Sequence, residues 1–358
     1  MKIAVIIPPF TTLPAKGQGG TERIAQGMIE EFLKRGHKVT LVGAGKCQTS
    51  ARFVQIFPQT ISEQKFDSTT TEQSRPLRIE TAYITKVMKY LLDHGGQFDV
   101  VFNHMRGGYL ILPLSQFLNT PIISIMHLPL FKELIDVLSQ FKNPNIITIS
   151  NSQRKPAKGR VNFLATVYNG VNPDEFPFNK KPKDYFLYLG AVGEHKSPHL
   201  AIEACQKAKV KLVLAGGKIR QPYFSEKIKP KIDGSQIKYV GEVENKKQKD
   251  LLKNAKALLF PITWEEPFGL VMIEAMACGT PVIGFNRGAV PEVVQNGKTG
   301  FVVKNVNEMA KAINQIHQIN RATCRKLVEE KFTYKKMADD YLKAAEKVIK
   351  KRGLRWKN

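Results

Sequence analysis

Short apolar runs alternate with amphipathic stretches along almost the whole chain. Residues 3–7 are a continuous apolar run, the mark of a strand covered on both faces. A polar loop over 8–20 leads into residues 21–35, whose apolar positions recur at helical spacing until Gly36 stops them, and 38–42 read as the next strand. Residues 98–104, 120–127 and 145–152 are further apolar runs that end on polar side chains, and 79–92 predict a helix. The stretch 51–78 is polar and poorly periodic and reads as a loop region. In the second half the expected order is strand 185–190, helix 198–208, strand 210–215, a lysine-rich helix after Gly216-Gly217-Lys218, and then the stretch 237–243. Helix 246–254, strand 257–261, helix 270–278 and strand 282–284 follow, then a strand edge within 293–303 and two closing helices, the last over 334–350. Regular alternation of strand and helix specifies an α/β chain with parallel sheets.

The chain of 358 residues is long enough for two domains, expected at 1–176 and 177–335, with 336–358 as a final helix and basic tail. Its 42% hydrophobic and 24% charged residues describe a soluble globular protein, and no apolar run nears the ~20 residues that span a bilayer. Residues 1–7 are too short for a signal peptide and are read as the first strand. Cys47, Cys205, Cys278 and Cys324 have neither metal nor disulfide spacing, which makes a reducing cytoplasm the expected location.

A net charge of +24 changes the picture. Nucleic acid, an anionic membrane and lysine-rich solubility compete to explain it. No nucleic-acid motif is present and few aromatics interleave the lysines, so nucleic acid is not expected as a partner. Residues 347–357 hold six basic and no acidic residues, with Trp356 suited to a membrane boundary. That run predicts either a peripheral seat on the inner face of the cell membrane or a solvated tail.

The densest chemistry lies in Trp264-Glu265-Glu266-Pro267-Phe268-Gly269-Leu270, between a strand and a helix. Ligands of parallel sheets bind at the carboxyl ends of strands, where this loop must lie. Pro267 suits the start of a helix, Gly269 permits close approach, and the amides of Phe268, Gly269 and Leu270 can face an anion at the helix amino end. Glu266 in the loop and Glu274 on the helix could each grip a vicinal diol. The plainer alternative is a helix-capping Glu266 and a solvated Glu274.

Glu266-Pro-Phe-Gly with Glu274, continued by 276–283 and 287–292, resembles the two-glutamate signature of retaining glycosyltransferases of the GT-B fold, family 4. The resemblance spans nearly the whole chain. It implies two Rossmann-like domains facing an interdomain cleft and transfer of a hexose from a UDP- or GDP-linked sugar to a hydroxyl acceptor, with retention. Glu266 would hold the sugar and stabilise its cation-like transition state, and Glu274 would hold the ribose. Lys196 and the Phe268, Gly269 and Leu270 amides would hold the diphosphate, with Val243 at the base pocket. His127, in Met126-His127-Leu128-Pro129, matches a histidine that touches the donor sugar, and Gly19 and Gly20 match glycines of the first loop. His104 stands at a strand end without such a match. No metal-ligand spacing and no Asp-x-Asp appear, so neither metal nor cofactor is expected.

One departure stands out. Family members usually carry arginine where this chain has Ala191, and a guanidinium fork to a diphosphate is not reproduced by lysine. Lys218, Arg220, Arg106 and His195 are the candidates to compensate. A non-catalytic sugar-nucleotide binder, a GT-B epimerase or a phosphorylase are the alternatives. The resemblance does not identify the acceptor.

Overall fold

The computed structural model describes residues 1–15, 19–67, 69–217 and 219–355. Strands β1 (Lys2–Ile6), β2 (Lys38–Ala44), β3 (Arg52–Phe57), β4 (Val100–Asn103), β5 (Ile122–Met126), β6 (Ile146–Thr148) and β7 (Ala165–Thr166) form one sheet. Strands β8 (Phe186–Leu189), β9 (Leu212–Ala215), β10 (Ile237–Tyr239), β11 (Leu258–Phe260), β12 (Val282–Phe285) and β13 (Gly300–Val303) form the other. The helices are α1 (Gly20–Lys34), α2 (Thr70–His94), α3 (Leu112–Ser115), α4 (Lys132–Ser139), α5 (Pro198–Ala208), α6 (Asn245–Asn254), α7 (Leu270–Ala277), α8 (Val290–Val293), α9 (Val306–Gln315), α10 (Arg321–Lys331) and α11 (Tyr334–Arg355).

The first sheet runs β3-β2-β1-β4-β5-β6-β7 and the second β10-β9-β8-β11-β12-β13. Every paired strand is parallel, as the continuous apolar runs require, since such strands are covered on both faces. Each order reverses once at its centre, between β1 and β4 and between β8 and β11. The loops leaving the carboxyl ends there diverge and open a crevice.

The chain divides into two compact units, Met1–Asn169 with Tyr334–Asn358, and Gly170–Thr333. The first is therefore built from both ends of the sequence. Its returning helix α11 buries Met337, Ala338, Tyr341, Ala345 and Val348. Tyr334 lies against α1 at Gly27, where a β-carbon would come within 2.4 Å of the ring. Arg35 fastens the same pair of helices, donating to Asp339 at 2.8 Å and to Glu31 at 2.6 Å. Inside the second unit Val171 pairs with Thr333, so its two ends lie side by side.

Four expectations are corrected. The stretch 51–78 holds edge strand β3 and the first turns of α2; neither shows as an apolar run because β3 is only half covered and those turns are largely exposed. The lysine-rich helix is instead a π-turn, Phe224–Ile228, and a 3₁₀ turn, Lys229–Lys231, and Pro230 withholds the amide that would carry a helix onward. Residues 293–303 divide into the end of α8, a turn at Gly297 with φ of +75°, and β13. Three helices close the chain, because Asn305 and Asn320 cap α9 and α10 as separate elements before α11.

Candidate active site

In the second unit β8 and β11 are neighbours at the sheet centre, so the loops that follow them meet. The first carries Lys196 in the turn Glu194–Lys196, and the second carries Glu266. Ser197 Oγ and Thr263 Oγ1, 3.0 Å apart, tie the two loops together. Lys196 Nζ forms an ion pair with Glu266 Oε2, and Trp264 Nε1 donates to the same oxygen at 2.8 Å. The Lys196 ammonium also lies 5.0 Å from the centre of the Trp264 ring, and the His195 ring meets that indole edge-on at 5.7 Å. The two charged side chains are only 21% and 13% exposed, so water screens this pair less than one on the surface.

Glu265 and Glu266 are held by the loop that follows β12. The Ala289 amide donates to the Glu266 carbonyl at 3.0 Å and the Gly288 amide to Glu265 Oε2 at 2.8 Å. Gly288 has φ of +51°, and a β-carbon there would lie 2.3 Å from the Glu266 carbonyl oxygen.

Gly269 caps α7 at φ of +81°, a conformation that favours glycine. Pro267 therefore precedes the cap and is not the first helical residue. Leu270 opens α7, and in its first turn the Met272 amide donates to the Gly269 carbonyl at 3.0 Å. Phe268 is a core residue, 6.0 Å from the Phe332 ring centre. Glu274 faces inward from α7, buried, and accepts from Gln248 Nε2 of α6 at 3.0 Å. Val243, half-buried, lies between β10 and α6.

Ala191 lies in the loop after β8, and its carbonyl accepts from the buried Tyr188 hydroxyl at 2.7 Å. Beside it, the Arg220 amide donates to the Val192 carbonyl, and the Arg220 side chain passes against Gly193 together with His195. Burial, and then the Lys196 and Arg220 cations, hold the His195 imidazole below its ordinary pKa. Arg220 and His195 thus stand at this loop. Arg106 belongs to the first unit, 3.8 Å from the Phe10 ring centre, and Lys218 lies outside the described residues. Trp264 and Gln248 were not singled out as site residues by the motif; the signal for Trp264 was its place two residues before Glu266.

In the first unit Gly19 caps α1 and Gly20 is its first residue. A β-carbon on Gly19 would lie 2.8 Å from Ala15 Cβ. Glu22, in the first turn, is buried, and that burial raises its pKa. His104 and His127 follow adjacent strands β4 and β5 and meet: His104 Nδ1 lies 2.9 Å from His127 Nε2, with the rings stacked 5.1 Å apart. Burial lowers the pKa of both, that of His127 to about 4. His104 Nε2 and Tyr341 Oη are buried without a hydrogen-bond partner among the described residues.

Among the described residues no three His, Cys, Asp or Glu side chains gather to hold a metal ion. The four cysteines are free, and no helix among the described residues is long and apolar enough to cross a membrane.

Comparison with known proteins gives a family match for the second unit and a fold for the chain. The family described as glycosyl transferases group 1 matches residues 172–334. An uncharacterized glycosyltransferase of Methanocaldococcus jannaschii is 26% identical over 239 residues, 58% of this chain and 60% of that protein. The chain thus spans less than two thirds of that relative's length. Among solved structures, a glycosyltransferase involved in avilamycin A biosynthesis superposes with a TM-score of 0.75 at 22% identity, over 98% of both chains. Anabaena HepE, solved with UDP and glucose, does so with a TM-score of 0.72 at 17% identity, over 97% of this chain and 100% of that one. The match to the group 1 glycosyltransferase family thus covers almost the whole of the second unit, and the chain as a whole has the GT-B fold.

Proposed function

We propose that the protein transfers a hexose from a nucleotide diphosphate sugar, UDP- or GDP-linked, to a hydroxyl acceptor with retention of anomeric configuration. The observation that carries this reading is the Lys196–Glu266 pair at the carboxyl ends of the adjacent central strands β8 and β11. Lys196 and the first-turn amides of α7 meet the diphosphate, whose departing charge they stabilise. Glu266 takes the sugar hydroxyls and stabilises the cation-like transition state without becoming a covalent nucleophile. Glu274 takes the ribose diol, and the leaving phosphate oxygen receives the acceptor proton. Transfer without a metal rests on the family resemblance. The second reading, a sugar-nucleotide binder without turnover, has Ala191 in its favour, since that position lacks the guanidinium its relatives usually place on the diphosphate.

Glu266→Ala should cut turnover at least 100-fold with modest change in donor affinity, while Glu274→Ala should raise the donor Kd about tenfold or more. Calorimetry with UDP- and GDP-sugars and transfer into mixed acceptors measure both. Two variants that behave like the parent sink the assignment, and donor binding without transfer or hydrolysis establishes the second reading. A peripheral seat on an anionic membrane is proposed from the basic run 347–357, of which 356–357 lie outside the described residues. Sedimentation with anionic and neutral vesicles, for the whole chain and one ending at Val348, tests it. Binding unaffected by lipid charge or by the truncation rejects it.

A further inference from the structure

We propose that Trp264 is a positioning residue: its indole N–H sets the Glu266 carboxylate for transfer, and its ring face seats the Lys196 ammonium that receives the diphosphate. The inference rests on the roles given to Glu266 and Lys196 above. Three contacts converge on this side chain. Its Nε1 donates to Glu266 Oε2 at 2.8 Å, its ring centre lies 5.0 Å from Lys196 Nζ, and its edge meets His195.

The geometry separates the two functions of one side chain. Among the described residues the donors to the Glu266 carboxylate, Trp264 Nε1 and Lys196 Nζ, take the same oxygen, Oε2, which leaves Oε1 for a sugar hydroxyl. Lysine is a compact, mobile charge, and a diphosphate on Lys196 competes with Glu266 for its ammonium. The indole does not move with that charge, so it remains the donor that fixes the carboxylate when the diphosphate engages the lysine. A neutral indole suits this place better than a second cation, because it orients the carboxylate without cancelling the negative charge that Glu266 presents to the sugar's developing positive charge.

Trp264 is only half-buried, on a loop, so it adds less to the core than a fully enclosed tryptophan would. A packing role alone would show as lost stability. A positioning role shows in turnover. Trp264→Phe keeps a ring beneath Lys196 and removes the N–H, so kcat should fall about tenfold or more while donor KM stays within about twofold. Trp264→Leu removes the ring face as well, and donor KM should then also rise severalfold. Thermal unfolding of both variants is run alongside to show that they fold.

A second readout does not need turnover. The chain has two tryptophans, so Trp356→Phe leaves Trp264 as the only one. UDP or GDP that draws the Lys196 ammonium from the indole should shift its emission, and Lys196→Met should abolish the shift. A Trp264→Phe enzyme with the parent kcat, or one whose whole deficit is in KM, overturns the proposal. So does emission unmoved by either nucleotide. If the parent transfers no hexose, the reading of the site as a transferase has failed, and the emission titration alone decides the place of Trp264.

Discussion

Gly288 is where a single methyl group would matter most. Its φ of +51° already disfavours a side chain, and the space a β-carbon needs is filled by the Glu266 backbone, with the carbonyl oxygen at 2.3 Å and the nitrogen at 2.5 Å. These are backbone atoms, which cannot swing aside as a side-chain tip does. Gly288→Ala should therefore displace Glu266 and lower turnover about 100-fold, as misplacement by roughly 1 Å does at other reacting centres. The accompanying loss of stability should be a few kcal/mol at most, since one loop absorbs the strain. Steady-state kinetics and thermal unfolding measure both, and an alanine variant with parent turnover would show that the clamp on Glu266 is irrelevant to transfer. The loop and helix positions of Glu266, Gly269 and Glu274 were readable in the sequence because their spacing is local. Trp264 and Gln248 were not, because their meaning depends on which oxygen each reaches, and that is a matter of three-dimensional direction.

At the scale of elements, the strands were legible wherever both faces are covered and illegible where they are not. β1, β4 and β5 stand out as apolar runs, whereas the edge strand β3 and the exposed start of α2 dissolve into apparent loop. What pattern could not supply was adjacency. β4 and β5 register Val101 with Ile122 and Asn103 with Ser124, and the residues that leave these paired ends bring His104 and His127 to 2.9 Å. A consequence can be measured. Both imidazoles have a folded pKa below the ordinary 6.5, so the unfolded chain binds more protons in that range. Their contribution to stability is complete above pH ~6.5 and is lost as the pH falls toward 4. By pH 5, His127 should account for about 1 to 2 kcal/mol of lost stability. His127→Gln should flatten the stability profile between pH 6.5 and 4.5 in denaturant titrations, and a variant with the parent slope would refute the shifted pKa.

At the scale of the molecule, both sheets follow one strand order, yet the two units are assembled from the chain differently. Gly170–Thr333 is one continuous segment, while the first unit needs α11, whose Tyr341 is fully buried with its ring centre 5.6 Å from that of Phe102. On a ribosome this reverses the expected order of completion. The polypeptide that emerges first must wait, with the α1 surface around Gly27 and the Phe102 ring uncovered, until the last helix has been made. At about 5–20 residues per second, the interval from residue 170 to residue 355 is roughly 10 to 40 seconds. Nascent chains arrested after Thr333 has cleared the exit tunnel should yield a protease-resistant fragment from the second unit and a digestible first unit. Release of the full chain should protect both. Equal protection of the two units in the arrested chain would contradict this order. During those seconds the exposed apolar surface is a natural site for a chaperone, so synthesis of the first half is a period of vulnerability that the finished protein no longer displays.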